Sequence, residues 1–248
     1  MFVAVEIKES DKEAGFAFLK KRKSAELIKK EIFGGHSFYV LRVCRRKGTI
    51  PYDDIEKVLK QLSLKAVLPF SEGFEKRKIR RFEAEKLPLK VLFNSLVKYF
   101  STQNIRFGHL TVFDKNAVLS DGIERLVPFC GNISIISEKG GEYEEIRNHI
   151  LFRYGLSVVV KEKFSDEIGL SDGIITEKAD LIPLSFQGAV YTLYNRTMMG
   201  ADVISPEEII LPQKYEKLVP VGADRILFAS ALYELCGVRE LENTEIKW

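Results

Sequence analysis

Apolar positions along the chain switch between a period of two, a period near 3.6 and short unbroken runs, and each switch marks an element. Residues 3–7 and 38–43 are rich in β-branched and aromatic side chains and predict strands. Between them, residues 11–33 carry Phe16, Leu19, Leu27 and Ile28 at partial helical spacing, which predicts a long charged helix ended by Gly34 and Gly35. Pro51 opens a helix over 52–62, with Ile55, Val58, Leu59 and Leu62 on one face. Residues 65–68 form a short third strand, stopped by Pro69. A polar, charged connection follows. A helix over 87–101 then places Leu89, Leu92, Phe93, Leu96, Val97 and Phe100 at helical spacing.

From residue 109 the rhythm becomes regular. It predicts a strand at 109–113, a helix at 117–127, a strand at 133–136, a helix at 142–154, and strands at 156–160, 173–176 and 189–193. A Pro-punctuated loop spans 198–220, and a last helix over 223–236 takes Gly237 as its C-cap. Strands alternating with helices imply right-handed crossovers and a parallel sheet. Unbroken apolar runs at 133–136 and 158–160 suit strands covered on both faces.

The order from His109 to Thr176 resembles the Rossmann-type halves of dehydrogenases. Residues 171–176 look like the late strand of such folds whose end faces the cofactor. The fold class expected is α/β, with a Rossmann-like, mostly parallel sheet in the C-terminal part, 85–248. A smaller basic α/β region, 1–84, precedes it. No family is identified.

The formal net charge is only +3, but it is unevenly divided. The first 104 residues hold 23 Lys+Arg against 13 Asp+Glu, and the remainder holds 15 against 22. Such asymmetry fits a nucleic-acid or membrane surface on the basic part, or an attraction between halves, between protein partners or within a homo-oligomer. The basic clusters nominate Lys21, Arg22, Arg45, Arg46, Arg77 and Arg80 for nucleic acid. Intervening glutamates and the lack of interleaved aromatic residues favour a solvated face instead.

The Rossmann resemblance implies a dinucleotide loop after the first strand of the unit, where glycines at G-x-G-x-x-G spacing let the backbone approach a pyrophosphate. Residues 113–122 read FDKNAVLSDG, so only Gly122 is present and Asp114 and Asp121 bring negative charge. Glu138 follows the next strand, where an acidic residue meets a ribose hydroxyl in such folds. Asp114, Ser137, Glu138 and Asp172 are therefore the ligand-binding candidates.

Other chemistry is absent. His36, His109 and His149 fall in different elements, and no close pair of Cys or His suggests a metal. Cys44, Cys130 and Cys236 are odd in number and far apart, which fits reduced thiols. No nucleophile elbow or phosphate loop occurs. No cofactor is expected. The start lacks a basic leader and an apolar core segment, and no run is long enough to span a membrane, so the expected location is cytoplasmic.

The function expected is a non-catalytic binding, regulatory or assembly component on a degenerate Rossmann-like fold. One alternative is an enzyme that binds a mononucleotide or small metabolite at the strand ends. Another is nucleic-acid binding through the basic clusters.

Overall fold

The computed structural model describes residues 1–8, 25–32, 35–45, 49–69, 72–163, 170–177, 182, 186–194 and 200–248. The chain divides into two compact units, Met1–Ala84 with Leu211–Leu241, and Glu85–Ile210 with Glu242–Trp248. The first segment carries β1 (Val3–Lys8), β2 (Ala25–Glu31), β3 (Ser37–Cys44), α1 (Tyr52–Leu62) and β4 (Ala66–Val67). The second carries α2 (Leu87–Gln103), β5 (Phe107–Phe113), β6 (Cys130–Ile136), α3 (Glu144–Tyr154), β7 (Ser157–Lys161), β8 (Gly173–Ile175), β9 (Ala189–Tyr191), β10 (Asp202–Ile204) and β11 (Glu208–Ile210). The third carries α4 (Gln213–Glu216) and α5 (Arg225–Cys236), and β12 (Glu245–Lys247) closes the chain.

The first unit is built on a four-stranded sheet in the order β2-β3-β1-β4. Its core joins Val3, Val5, Leu41, Val43, Ile55, Leu59 and Phe74. Helix α1 forms where the pattern predicts it, with Asp53 and Asp54 in its first turn, where negative charge complements the helix dipole. Phe228 of α5 meets Phe2 and Phe38 edge-on, at 5.9 and 5.3 Å between ring centroids.

The helix expected over 11–33 is corrected where the chain is described. Ala25–Glu31 is strand β2, paired antiparallel with β3, and residues 11–24 lie outside the described residues. The misreading has a physical cause. As an edge strand β2 leaves most of its side chains exposed, and charges at Glu26, Lys29, Lys30 and Glu31 suit an edge that must not pair further.

The second unit is built on a six-stranded sheet, all parallel, in the order β10-β9-β8-β5-β6-β7, and β11 pairs antiparallel with β12 in a separate two-stranded sheet. Counted from β5, that order is 3-2-1-4-5-6, the arrangement of a Rossmann fold. Leu110, Val112, Ile133 and Ile135 on the central strands are fully buried. The α2 helix packs its Phe100 against Phe107 and Tyr191 at 5.1 and 5.0 Å between centroids. The two short strands β10 and β11 fall within the stretch expected to be a loop.

The helix expected over 117–127 is also corrected. The chain runs in turns to Gly122, with Ala117 at φ 54°, and then forms a 3-10 helix, Ile123–Phe129. Among the described residues no helix is long and apolar enough to cross a membrane.

Candidate functional site

In this sheet order the direction of winding reverses between β5 and β8, and ligands of open α/β sheets bind at the carboxyl ends beside such a reversal. The carboxyl ends of β5, β6, β7 and β8 line a cavity of about 380 Å³ here. Small-molecule sites are typically about 300–1,000 Å³. Leu89, Phe113 and Ile136 give it apolar surface, and Asp114, Ser137 and Thr176 contribute buried polar groups. Glu85, Lys115, Glu138, Glu162 and Lys163 are its exposed rim.

Asp114 is fully buried at the end of β5. Its Oδ1 accepts the Val118 amide at 2.8 Å, and its Oδ2 accepts the Leu119 amide at 2.6 Å. Tyr143, also fully buried, donates its hydroxyl to Oδ2 at 2.5 Å. Burial, with the carboxylate beside it, pushes the Tyr143 phenol well above its ordinary range, so it stays a donor.

This geometry decides whether a dinucleotide fits. The diphosphate of such a cofactor takes its hydrogen bonds from backbone amides of the loop after the first strand and from the helix that follows. Here two of the loop amides are held by the chain's own carboxylate. Ala117 makes the left-handed turn with a side chain where close approach to a phosphate needs glycine. The segment beyond starts as a 3-10 helix only at Ile123. A diphosphate placed on this loop meets a buried negative charge and spent donors, so the residues present do not fit a dinucleotide.

Ser137 and Glu138 stand with Asp114 at the cavity, as the order of strands requires. The Ser137 amide donates to Lys161 at 2.8 Å, and its hydroxyl oxygen accepts the Lys139 amide at 3.2 Å. The Glu138 carboxylate pairs with Lys115 Nζ at 3.3 Å. Asp172 is not brought to this place. It precedes β8 and so lies at the amino end of the sheet, where Oδ2 accepts the Gly108 and His109 amides at 2.6 and 2.9 Å. It fastens β8 to β5 and faces no cavity residue.

Tyr143, Glu162, Thr176 and Glu177 are cavity or support residues that reasoning from sequence passed over. The last three had a usable signal, since Glu162 and Thr176 follow directly on parallel strands that end at the same rim as Asp114, and Glu177 comes next after Thr176. Tyr143 had none, because its bond to Asp114 spans 29 residues.

Of the nucleic-acid candidates, Lys21, Arg22 and Arg46 lie outside the described residues. Arg77 pairs with Asp53, has Glu56 at 3.8 Å and covers the Tyr52 ring at 5.5 Å. The Arg45 amide donates to Lys8 at 3.0 Å, and Arg80 is exposed. Among the described residues no three His, Cys, Asp or Glu side chains gather as a metal site. The Cys130 thiol is pushed up to about 12 by burial, which leaves it protonated and a poor nucleophile.

No known family profile and no curated protein matches this sequence. Among solved structures it is similar to quinate dehydrogenase from Corynebacterium glutamicum, in complex with NAD, at 11% identity and a TM-score of 0.30. That likeness covers 62% of this chain and 70% of the other. It is also similar to L-tryptophan dehydrogenase from Nostoc punctiforme, at 11% identity and a TM-score of 0.31, over 83% of this chain and 63% of that one. Likenesses this distant carry no functional weight. The strand order of the second unit itself makes this an α/β protein with a Rossmann-like parallel sheet.

Proposed function

We propose that the chain is a binding component, regulatory or structural in role, that takes a small phosphate-free ligand at the carboxyl ends of β5, β6, β7 and β8 and performs no dinucleotide chemistry. One observation carries this reading. The Asp114 carboxylate holds the Val118 and Leu119 amides that a diphosphate would use. A cavity remains beside that closed loop, with apolar surface at Phe113 and Ile136 and polar groups at Ser137, Glu138 and Thr176. Apolar lining with a few converging polar groups is the ordinary make-up of a small-molecule site.

The test is thermal unfolding of the intact protein with NAD, NADP, FAD, ATP and GTP on one side and adenosine on the other. A ligand at a hundredfold excess over its dissociation constant adds about 2.7 kcal/mol, which raises the midpoint of a chain this size by roughly 5–10 °C. The expected result is a shift with adenosine and none with the phosphorylated compounds. A shift of that size with NAD or FAD would overturn the reading.

A further inference from the structure

We propose that β7 is the contact through which two copies of this chain pair, edge to edge, into a twofold dimer. β7 is an edge of the six-stranded sheet, and among the described residues it pairs only with β6. An open edge is a template for another strand, and proteins guard it with charges, proline or a bulge. The first unit does so at β2, where Glu26, Lys29, Lys30 and Glu31 are exposed. β7 has no such guard. Ser157, Val158, Val159 and Val160 bring neither charge nor proline, and Val159 is 42% exposed.

The backbone of this edge is complementary to itself. The Lys161 carbonyl accepts the Ser137 amide at 2.8 Å, so the backbone groups of Lys161 point toward β6. Those groups alternate in direction along a strand, which turns Ser157 and Val159 inward as well and leaves the N–H and C=O of Val158 and Val160 pointing out. A second copy of β7, antiparallel about a twofold axis at Val159, sets each Val158 opposite the Val160 of the other copy. Each such pair exchanges two N–H···O bonds, so every outward group of Val158 and Val160 in both copies is met. The two Val159 residues then face each other as a non-hydrogen-bonded pair, the arrangement that brings side chains closest. Lys161 falls opposite Ser157, so no like charges oppose one another.

The same axis lays the two α3 helices antiparallel, because α3 packs against β7. That helix leaves Phe152 88% exposed and Leu151 half exposed, which gives the contact apolar area that a strand pair alone lacks. Glu144 and Glu145 in its first turn come beside the last turn of the other helix, where Arg153 stays largely exposed although Glu124 lies 3.7 Å away. One patch meets itself in this arrangement, so the assembly closes at two copies.

Sedimentation equilibrium of the intact protein at micromolar concentration is expected to give twice the mass of the chain. Val159→Lys sets two ammonium groups face to face at the axis and should weaken the dimer at least about tenfold. Its circular dichroism should stay native, because the position is exposed. Cross-linking reads the register. In a Cys44→Ser background, which removes the exposed thiol, Val159→Cys should form a disulfide between copies under oxidised glutathione. A non-hydrogen-bonded antiparallel pair has its Cα atoms about 4.5 Å apart, within disulfide reach. Val160→Cys should stay unlinked, since it faces Val158 of the other copy. A native protein that remains monomeric at submillimolar concentration overturns the proposal. So does a dimer that Val159→Lys leaves as tight as before, or one that links through Val160→Cys and not through Val159→Cys.

Discussion

Tyr143 reaches across from the segment before α3 and donates its hydroxyl to Asp114 Oδ2 at 2.5 Å, with both residues fully buried. The bond completes a set of three donors around one carboxylate. The charge is bearable in the interior only because those donors converge on it. Tyr143→Phe removes one donor and should cost about 1–2 kcal/mol. Asp114→Ala strands three donors, two buried and one partly buried, and should cost about 3 kcal/mol or more. Because the two side chains share one network, the double variant should lose at least about 0.5 kcal/mol less than the two single losses added. Urea midpoints of the four proteins measure this. Simple additivity would show that the network is not a unit.

The second consequence concerns the amides that Asp114 holds. Asp114→Gly removes the internal anion and leaves the Val118 and Leu119 amides directed at open space. It also restores a glycine where the loop leaves the strand, so an anion can approach the backbone. Inorganic pyrophosphate should then raise the melting midpoint of the variant and leave that of the native protein unchanged. Equal response of the two proteins would mean that Asp114 does not block the loop.

Much of this arrangement was legible in the residues, and the exceptions have causes. The alternation of apolar strands and amphipathic helices from His109 onward predicts a parallel sheet, and buried strands such as β6 follow from runs like Ile133–Ile136. The absence of the G-x-G-x-x-G pattern after Phe113 was equally plain. What the negative charge there accomplishes was not, because Asp114 acts through Tyr143 and through a turn that displaces the expected helix. Asp172 was misplaced by overlooking direction. In a parallel sheet a residue before a strand and a residue after one lie at opposite ends. Strand β2 was missed because an edge strand with exposed charges shows no alternation. Strands β10 and β11 were read as loop because Pro206 and Pro212 punctuate the stretch that holds them.

Titration of His109 offers a test at the other end of the sheet. Its ring Nε2 lies 2.7 Å from the Ser134 hydroxyl. Burial holds its pKa below the ordinary value near 6.5, with Asp172 opposing and Lys161 adding to the shift. The unfolded chain then binds a proton that the folded chain resists. Stability therefore falls as pH drops below about 6.5 and continues to fall until the folded pKa is reached. His109→Gln removes that contribution. Urea midpoints between about pH 7.5 and 5.5 should decline less in the variant than in the native protein. Parallel declines would assign the pH dependence to other groups.

Gly188, at the start of β9, tests how tightly the second half of the sheet is tied to the first. A Cβ there would stand 2.6 Å from the Asp172 carbonyl oxygen and 2.5 Å from Cζ of Phe186. The Phe186 ring can swing aside, but the Asp172 backbone cannot. It is fixed by its amide bond to the His109 carbonyl at 2.9 Å, by the Ala189 amide at 3.1 Å, and by the two amides on its side chain. Gly188→Ala must therefore push β9 away from β8, and it should cost about 1–3 kcal/mol. Gly141→Ala is the matched control, since a Cβ at that position meets nothing within 4 Å; its effect should stay within about 0.5 kcal/mol. The Gly188 carbonyl also accepts the Asp202 amide at 3.2 Å, so the shift should reach β10, and hydrogen exchange of the β9 and β10 amides should quicken in the Gly188 variant. A loss of stability no larger than the control's would mean that β9 adjusts freely, and that Asp172 does not hold the two halves in register.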